Sequence, residues 1–440
     1  MTIFVFFAAY AVVLAFVFVV CVRKCAVHLN GVLFFSVGFV YYWLLPYTVM
    51  YFLDTEIPQE LSLVYVVYSK VTDDAALRFV LTAILYYLFF AIGYSLACHK
   101  PSTKKTLTEA SSSAILFWSW MATLGVVFAF LMAIPVTGYF FKGYDSSVFE
   151  GYQNGVVAGA LPRGAFVAAT SILFVLSFMR AAMKNGHSGK ISKMLLDPFM
   201  LIYYFFTVLV LSMGGRLYFA TNVISMIIFF SMYFKLQIRL SFFLFFGLFA
   251  AGLASIWGVL RADGDFSFSN MYLNLAQEPL LTSISLFAFL GDGNMPAFNP
   301  PVFLASDFTN LLPSIFFPDK QDYLLKPQDF GYMLYNPVGA MHAFVSLVIN
   351  FGVFGAALFF WALGFGLALF ERASKSIQSV CVYSFMAAWL TFSFHRDPFA
   401  ISIVKSIFQV SIFIPLSLHF FQKIWNNRNR IKHAKTNNNL

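Results

Sequence analysis

Two arginines in this 440-residue chain stand where they could neutralise a phosphate. Arg216 follows Gly214-Gly215 at the joint of two apolar runs. Arg396 lies in His395-Arg396-Asp397-Pro398, between two others. A guanidinium is planar and permanently charged, and it forks onto phosphate or diphosphate oxygens through paired N–H donors. The two glycines let another group approach the backbone beside Arg216. Each arginine also has a plainer reading: Arg216 reaching lipid headgroups from a helix end, and Arg396 paired locally with Asp397. A site of this kind needs a proton acceptor. His342, in Val338-Gly339-Ala340-Met341-His342, is the first choice, since an imidazole takes a proton from a sugar hydroxyl near neutral pH. Glu278, in Gln277-Glu278-Pro279, would serve if burial raised its proton affinity. A hydrogen bond that merely packs helices is the other reading of His342.

The stretch 261–336 supplies further polar groups. Arg261, Lys320, Lys326, Tyr332, Tyr335 and Asn336, with His395 beyond them, have the makings of a carbohydrate surface. Stacking faces combined with charged and amide groups are what a sugar requires, although aromatic residues also gather at any membrane interface. Asp263-Gly264-Asp265 has D-x-D spacing, but acids flanking a glycine also make an ordinary turn, and no metal is expected. Other chemistries lack their motifs. There is no G-x-x-x-x-G-K-[ST], H-E-x-x-H, G-x-S-x-G or C-x-x-C, which removes the bases for ATP-driven, zinc-protease, hydrolase and thiol-redox readings. Few ionisable residues fall within apolar runs, Lys405 and His342 being the exceptions, so an ion-coupled transporter is poorly supported.

The elements that must hold these residues are membrane helices. The chain is 60% hydrophobic and 11% charged, with mean hydropathy +0.78, against about 25% charged residues in a globular domain. The pattern predicts an all-α polytopic membrane protein with about eleven spans, near 3–22, 31–53, 76–98, 114–137, 161–180, 196–213, 217–234, 240–260, 341–370, 380–394 and 399–421. The first eight fill 1–260. A large outer loop, 261–336, precedes spans nine to eleven in 337–421, and a basic tail covers 422–440. Within the loop, Leu280 to Leu290 is too short to cross a bilayer and reads as an interfacial or re-entrant helix. The ninth run is too long for one straight span and begins outside the bilayer.

Eighteen of the 28 Lys and Arg residues, but only Glu109, Asp197 and Glu371 among 19 acids, fall on the joints after odd-numbered spans and on the tail. The positive-inside rule then places the N-terminus outside and the C-terminus in the cytoplasm. The net charge of +9 thus reflects topology, with the tail meeting anionic lipid and no nucleic-acid partner implied. Cys21, Cys25, Cys98 and Cys381 all map to cytoplasmic ends, so no disulfide framework is expected.

In this organisation the chain resembles the bacterial oligosaccharide repeat-unit polymerases, the Wzy-type O-antigen and enterobacterial common antigen polymerases. The local matches are Gly-Gly-Arg216 opening a span and Leu312-Pro313 with Pro318 late in the loop. Asn350-Phe351-Gly352-Val353-Phe354-Gly355 and Arg396-Asp397-Pro398-Phe399 follow in the same order. The resemblance implies a fold like the GT-C glycosyltransferases in the bacterial inner membrane. It also implies transfer of a growing glycan from undecaprenyl diphosphate to the non-reducing end of a new lipid-linked unit at the periplasmic face. The glycosyl diphosphate is already activated, so no cofactor is implied. A chain-length regulator is a further implied partner. Several members carry an acid where this chain has His342. An O-antigen ligase, with a similar fold and donor, and a lipid-linked oligosaccharide flippase are the alternatives. Reporter fusions after Tyr65, Gly155 and Pro300 should read out the periplasm, and fusions after Lys105, His187 and Lys435 the cytoplasm. A cytoplasmic signal after Pro300 would overturn the outer-loop assignment.

Overall fold

The computed structural model describes residues 2–23, 26–27, 29–52, 62–98, 112–133, 160–185, 191–212, 216–234, 238–239, 268–292, 294–304 and 341–397, with 241, 245, 252, 256, 306, 325, 331 and 332. It is almost wholly helical. Four helices are long and apolar enough to cross a membrane: α1 (Thr2–Cys21), α2 (Gly31–Phe52), α4 (Asp73–Cys98) and α11 (Ala343–Ala373). Uninterrupted apolar sequence makes these segments helical, because a helix satisfies its own backbone groups where water is absent. Between α2 and α4 lies the short α3 (Ser62–Tyr68). The spans expected at 240–260 and 399–421 fall mostly or wholly outside the described residues.

The chain divides into two compact units. The first comprises Met1–Pro101, Leu236–Phe370 and Trp389–Ile403. At one end of it, the short strands β1 (Val22–Arg23), β2 (Ala26–Val27) and β3 (Ile238–Arg239) pair antiparallel in the order β1-β2-β3, with Val22 opposite Val27 and Ala26 opposite Arg239. This clip is a small departure from the all-α expectation. It satisfies backbone groups where the chain leaves its helices. Asn30 starts α2 by accepting the Leu33 amide at its side-chain oxygen (3.1 Å). Thr72 does the same for Ala75 at the start of α4 (3.2 Å), and Asp73 and Asp74 occupy that helix's first turn, where negative charge is favoured.

α2 runs through the core of this unit, with Phe35, Phe39, Tyr42 and Trp43 buried. Phe35 stacks on Phe90 of α4 at 4.2 Å, and Trp43 meets Phe360 of α11 edge-on at 5.6 Å. α4 and α11 touch backbone to backbone. A Cβ at Gly93 would collide with the Trp361 carbonyl, and one at Gly364 with the Phe90 carbonyl. Between apolar helices in lipid, close approach through small residues is a main source of attraction.

α10 (Phe268–Asp292) contains the run 280–290 expected to be an interfacial or re-entrant helix. It is a 25-residue helix, and Leu280, Ile284, Leu286, Phe287, Phe289 and Leu290 are buried. The short apolar run is therefore core, packed against the elements around α2 and α3. α11 carries a break at Gly352, whose φ of 70° and ψ of 175° are not helical. α12 (Ile377–Arg396) follows it.

In the second unit, made of Ser102–Lys235, Glu371–Ala388 and Val404–Leu440, α5 (Ser112–Ala133) packs along α6 (Ala160–Asn185). A short α7 (Ile191–Leu195), α8 (Pro198–Ser212) and α9 (Arg216–Phe234) complete its described helices. Buried Asp197 caps α8 by accepting the Phe199 amide (3.1 Å) and pairs with Arg180 (2.6 Å), whose guanidinium lies over the Phe199 ring.

Replacing Gly93 or Gly364 with Val should force α4 and α11 apart and lower the melting temperature in detergent, at a cost of about 1–3 kcal/mol. Gly366→Ala, with open space around it among the described residues, should leave melting unchanged. Equal melting of all three variants would refute the close crossing.

Candidate functional site

The site begins with a proline inside a membrane helix. Pro46 has no N–H, so in a regular helix the carbonyl four residues earlier, at Tyr42, would lack its donor. α2 widens there into a π turn over Val40–Leu44, in which the Leu45 amide donates to the Val40 carbonyl. The Tyr42 carbonyl finds its partner outside the helix, in Nε2 of His342 at 3.0 Å. The next residue, Trp43, donates its indole N–H to Nδ1 of His395, also at 3.0 Å. The π turn is thus gripped by two fully buried histidines, one at the entry of α11 and one at the end of α12.

Both histidines have defined tautomers. A carbonyl only accepts, so His342 Nε2 carries the proton. Nδ1 of the same ring accepts from the Phe344 amide at 3.1 Å. The His342 amide donates to Ser285 Oγ of α10 (2.9 Å). His395 accepts at Nδ1, which puts its proton on Nε2, and its ring lies against Gly38, where a Cβ would come within 2.8 Å of Cδ2. Neither ring is exposed to solvent. The proton-acceptor role expected of His342 does not fit this arrangement, because both nitrogens are occupied in holding the entry of α11. Its packing role fits. His395, expected to line a substrate surface, is likewise a buried brace.

These braces deliver Arg396. The Met341 amide donates to the Arg396 carbonyl (2.9 Å), tying the start of α11 to the last residue of α12. The Arg396 side chain turns to α10, where its Nε lies 3.2 Å from Oε1 of Glu278. The two side chains are 32% and 25% exposed, so the pair sits at a rim rather than in the core. The two partners lie 118 positions apart in sequence. The Asp397 amide donates to the Ser393 carbonyl.

The remaining candidates are more scattered. Tyr332 is buried, accepts from Asn299 Nδ2 (3.1 Å), and lies among Phe289 and Phe303. It is a packing residue rather than an exposed platform for a sugar. Arg216 is the first residue of α9, in the other unit, and its side chain lies outside those described. Arg261, Lys320, Lys326, Tyr335 and Asn336 lie outside the described residues, as do Asp263 and Asp265. Among the described residues no group of three His, Cys, Asp or Glu could hold a metal ion. Four of the residues picked from sequence, Glu278, His342, His395 and Arg396, are therefore assembled in the first unit around Tyr42 and Trp43. Those two were missed. Their only signal was Pro46 inside an apolar run.

Comparison with family models, with curated proteins and with solved structures finds no match. The chemistry of the site therefore has to be argued from its own geometry.

Trp43→Phe keeps an aromatic ring, though a smaller one, and removes the indole N–H that donates to His395; it should cost about 1–3 kcal/mol. His395→Phe should cost a similar amount. In the double variant the loss should fall short of the sum by at least about 1 kcal/mol, read by thermal or denaturant unfolding in detergent. Strict additivity would mean that the indole–imidazole bond is not formed.

Proposed function

We propose that the protein is a glycan polymerase of the inner membrane. On this reading it crosses the bilayer about eleven times with its N-terminus in the periplasm. It transfers a growing oligosaccharide from undecaprenyl diphosphate to a new lipid-linked repeat unit, at the periplasmic face. The observation that carries the reading is the Arg396–Glu278 pair, a guanidinium and a carboxylate held side by side at a partly exposed rim by buried braces on α2, α11 and α12. In this transfer the acceptor hydroxyl attacks the anomeric carbon, the bond from that carbon to the diphosphate oxygen breaks, and the hydroxyl proton must leave. A fixed cation beside the leaving group stabilises the charge that grows on it. A carboxylate within reach accepts the proton. With both His342 nitrogens engaged, Glu278 takes that role. Glu278 is held by the arginine until substrate arrives. The diphosphate then competes for the guanidinium and releases the carboxylate toward the acceptor.

Arg216 is the candidate that the sequence offers for a further cation, since a diphosphate carries more charge than one guanidinium neutralises. Its position beside two glycines supports a close approach by the ligand. The partners are lipid-linked oligosaccharides and membrane lipid, with a chain-length regulator as a further one, and no cofactor is required.

Arg396→Ala and Arg216→Ala should each abolish long-chain glycan at normal protein level. A single lost transition-state donor costs about 10²–10³ in rate. Lys at either site should rescue partly, because it lacks the fork. Glu278→Gln should keep the helix and lose turnover with purified lipid-linked units. Chains of ordinary length from Arg396→Ala would overturn the assignment. A null strain separates polymerase from ligase: without the first, single units still reach the lipid core, and without the second, none do.

A further inference from the structure

The break in α11 holds a second feature, which owes nothing to the glycan-transfer reading. The turn that follows α10 docks into it. The amides of Val353 and Phe354 donate to the carbonyls of Pro296 (2.9 Å) and Ala297 (3.1 Å). On the other side of the break, Asn299 donates to the Ile349 carbonyl. Gly352 is needed there, since its φ is 70° and a Cβ would strike the backbone of Phe298.

The break also divides α11 by environment. Before it, residues 343–350 are all buried. After it, an exposed apolar stripe begins at Phe354 (52%) and Leu358 (58%) and continues to Leu369. The piece after the break, 353–373, is about 31 Å long at 1.5 Å per residue. That matches the roughly 30 Å of hydrocarbon in a bilayer. The stripe is therefore the lipid-facing side of a full span, and Gly352 lies where that span meets the membrane boundary. Phe298 is 70% exposed, and its ring lies 5.4 Å from that of Phe354, on the same face. Val302 is exposed nearby.

We propose that the turn 295–302 is a membrane-facing wedge, with Phe298 resting among the lipid acyl chains as an extension of the α11 stripe. Its backbone suits that position. Pro296, Pro300 and Pro301 have no N–H to satisfy, the carbonyls of Pro296 and Ala297 are bonded to α11, and the Val302 amide donates to the Pro300 carbonyl (2.8 Å). These features leave the turn with fewer unmet polar groups than an ordinary loop, which lowers the cost of placing it against lipid. Exposed Asp292 and Asn294, just upstream, mark the headgroup level. The turn is then anchored in the bilayer and moves with α11.

The test uses the full chain with Cys21, Cys25, Cys98 and Cys381 replaced by Ala, and a polarity-sensitive dye on either Phe298→Cys or Asn294→Cys. The protein is reconstituted in phosphatidylethanolamine–phosphatidylglycerol vesicles, with plain or brominated acyl chains. The dye at 298 should emit at shorter wavelength than the dye at 294 and lose intensity in brominated lipid, while the dye at 294 does not. Water-like emission at 298 would overturn the wedge. Short-wavelength emission there without bromine quenching would overturn it too, since the turn would then be covered by protein, such as a second copy of the chain. No substrate is involved, so the outcome is independent of whether the protein polymerises glycan.

Discussion

The donor that Pro46 cannot give to the Tyr42 carbonyl is the constraint around which the first unit is arranged. A buried backbone carbonyl with no donor costs as much as a lost hydrogen bond, and in lipid no water can supply one. Tyr42 meets the requirement by taking a proton donor from another helix, His342 at the mouth of α11. The π turn that accommodates the proline brings Trp43 to His395 as well. One missing N–H thus ties α2 to both α11 and α12, at the level where Arg396 emerges.

This explains why two histidines in a site read as catalytic can both be buried. Their work is to fix position. His342 fills its donor and acceptor capacity with backbone groups, and His395 is locked against Trp43 and Gly38. The groups left at the rim are an arginine and a carboxylate, which are the types that glycosyl transfer from a diphosphate would call on. A site whose charged members are mounted on braced helices keeps its geometry better than one carried on a free loop.

The same logic of satisfied backbone recurs at Gly352. There the helix is interrupted, and its orphaned amides and carbonyl are taken up by the turn 296–299. The two interruptions have opposite local causes. At position 46 the residue lacks a donor, and at position 352 the residue lacks a side chain. Both are repaired by a segment distant in sequence, so each interruption doubles as a joint between elements. Where α4 crosses the uninterrupted part of α11, at Gly93 and Gly364, the two are joined instead by bare backbone contact.

Much of this was legible in the residues. Apolar runs placed α1, α2, α4 and α11 within a few positions, since a helix of that hydropathy has few alternatives. The length of the ninth run points to a start outside the bilayer but does not reveal the break at Gly352. The prominence of Glu278, His342, His395 and Arg396 also came from sequence, because polar residues beside membrane spans are few enough to stand out. Their roles did not. Whether an imidazole accepts a substrate proton or braces a helix depends on what meets its two nitrogens, and those partners, Tyr42 and Phe344, were set by tertiary packing. Whether 280–290 floats at an interface or forms core depends on neighbours that hydropathy does not encode, and α10 proved to be buried. The pairing of Arg396 with Glu278 was likewise decided by helix placement, because charge pairing depends on distance in space and those two residues are far apart in sequence. Sequence determined which segments must be helical and which side chains were chemically unusual. Only the tertiary structure decided which of those side chains hold the frame and which remain at its rim.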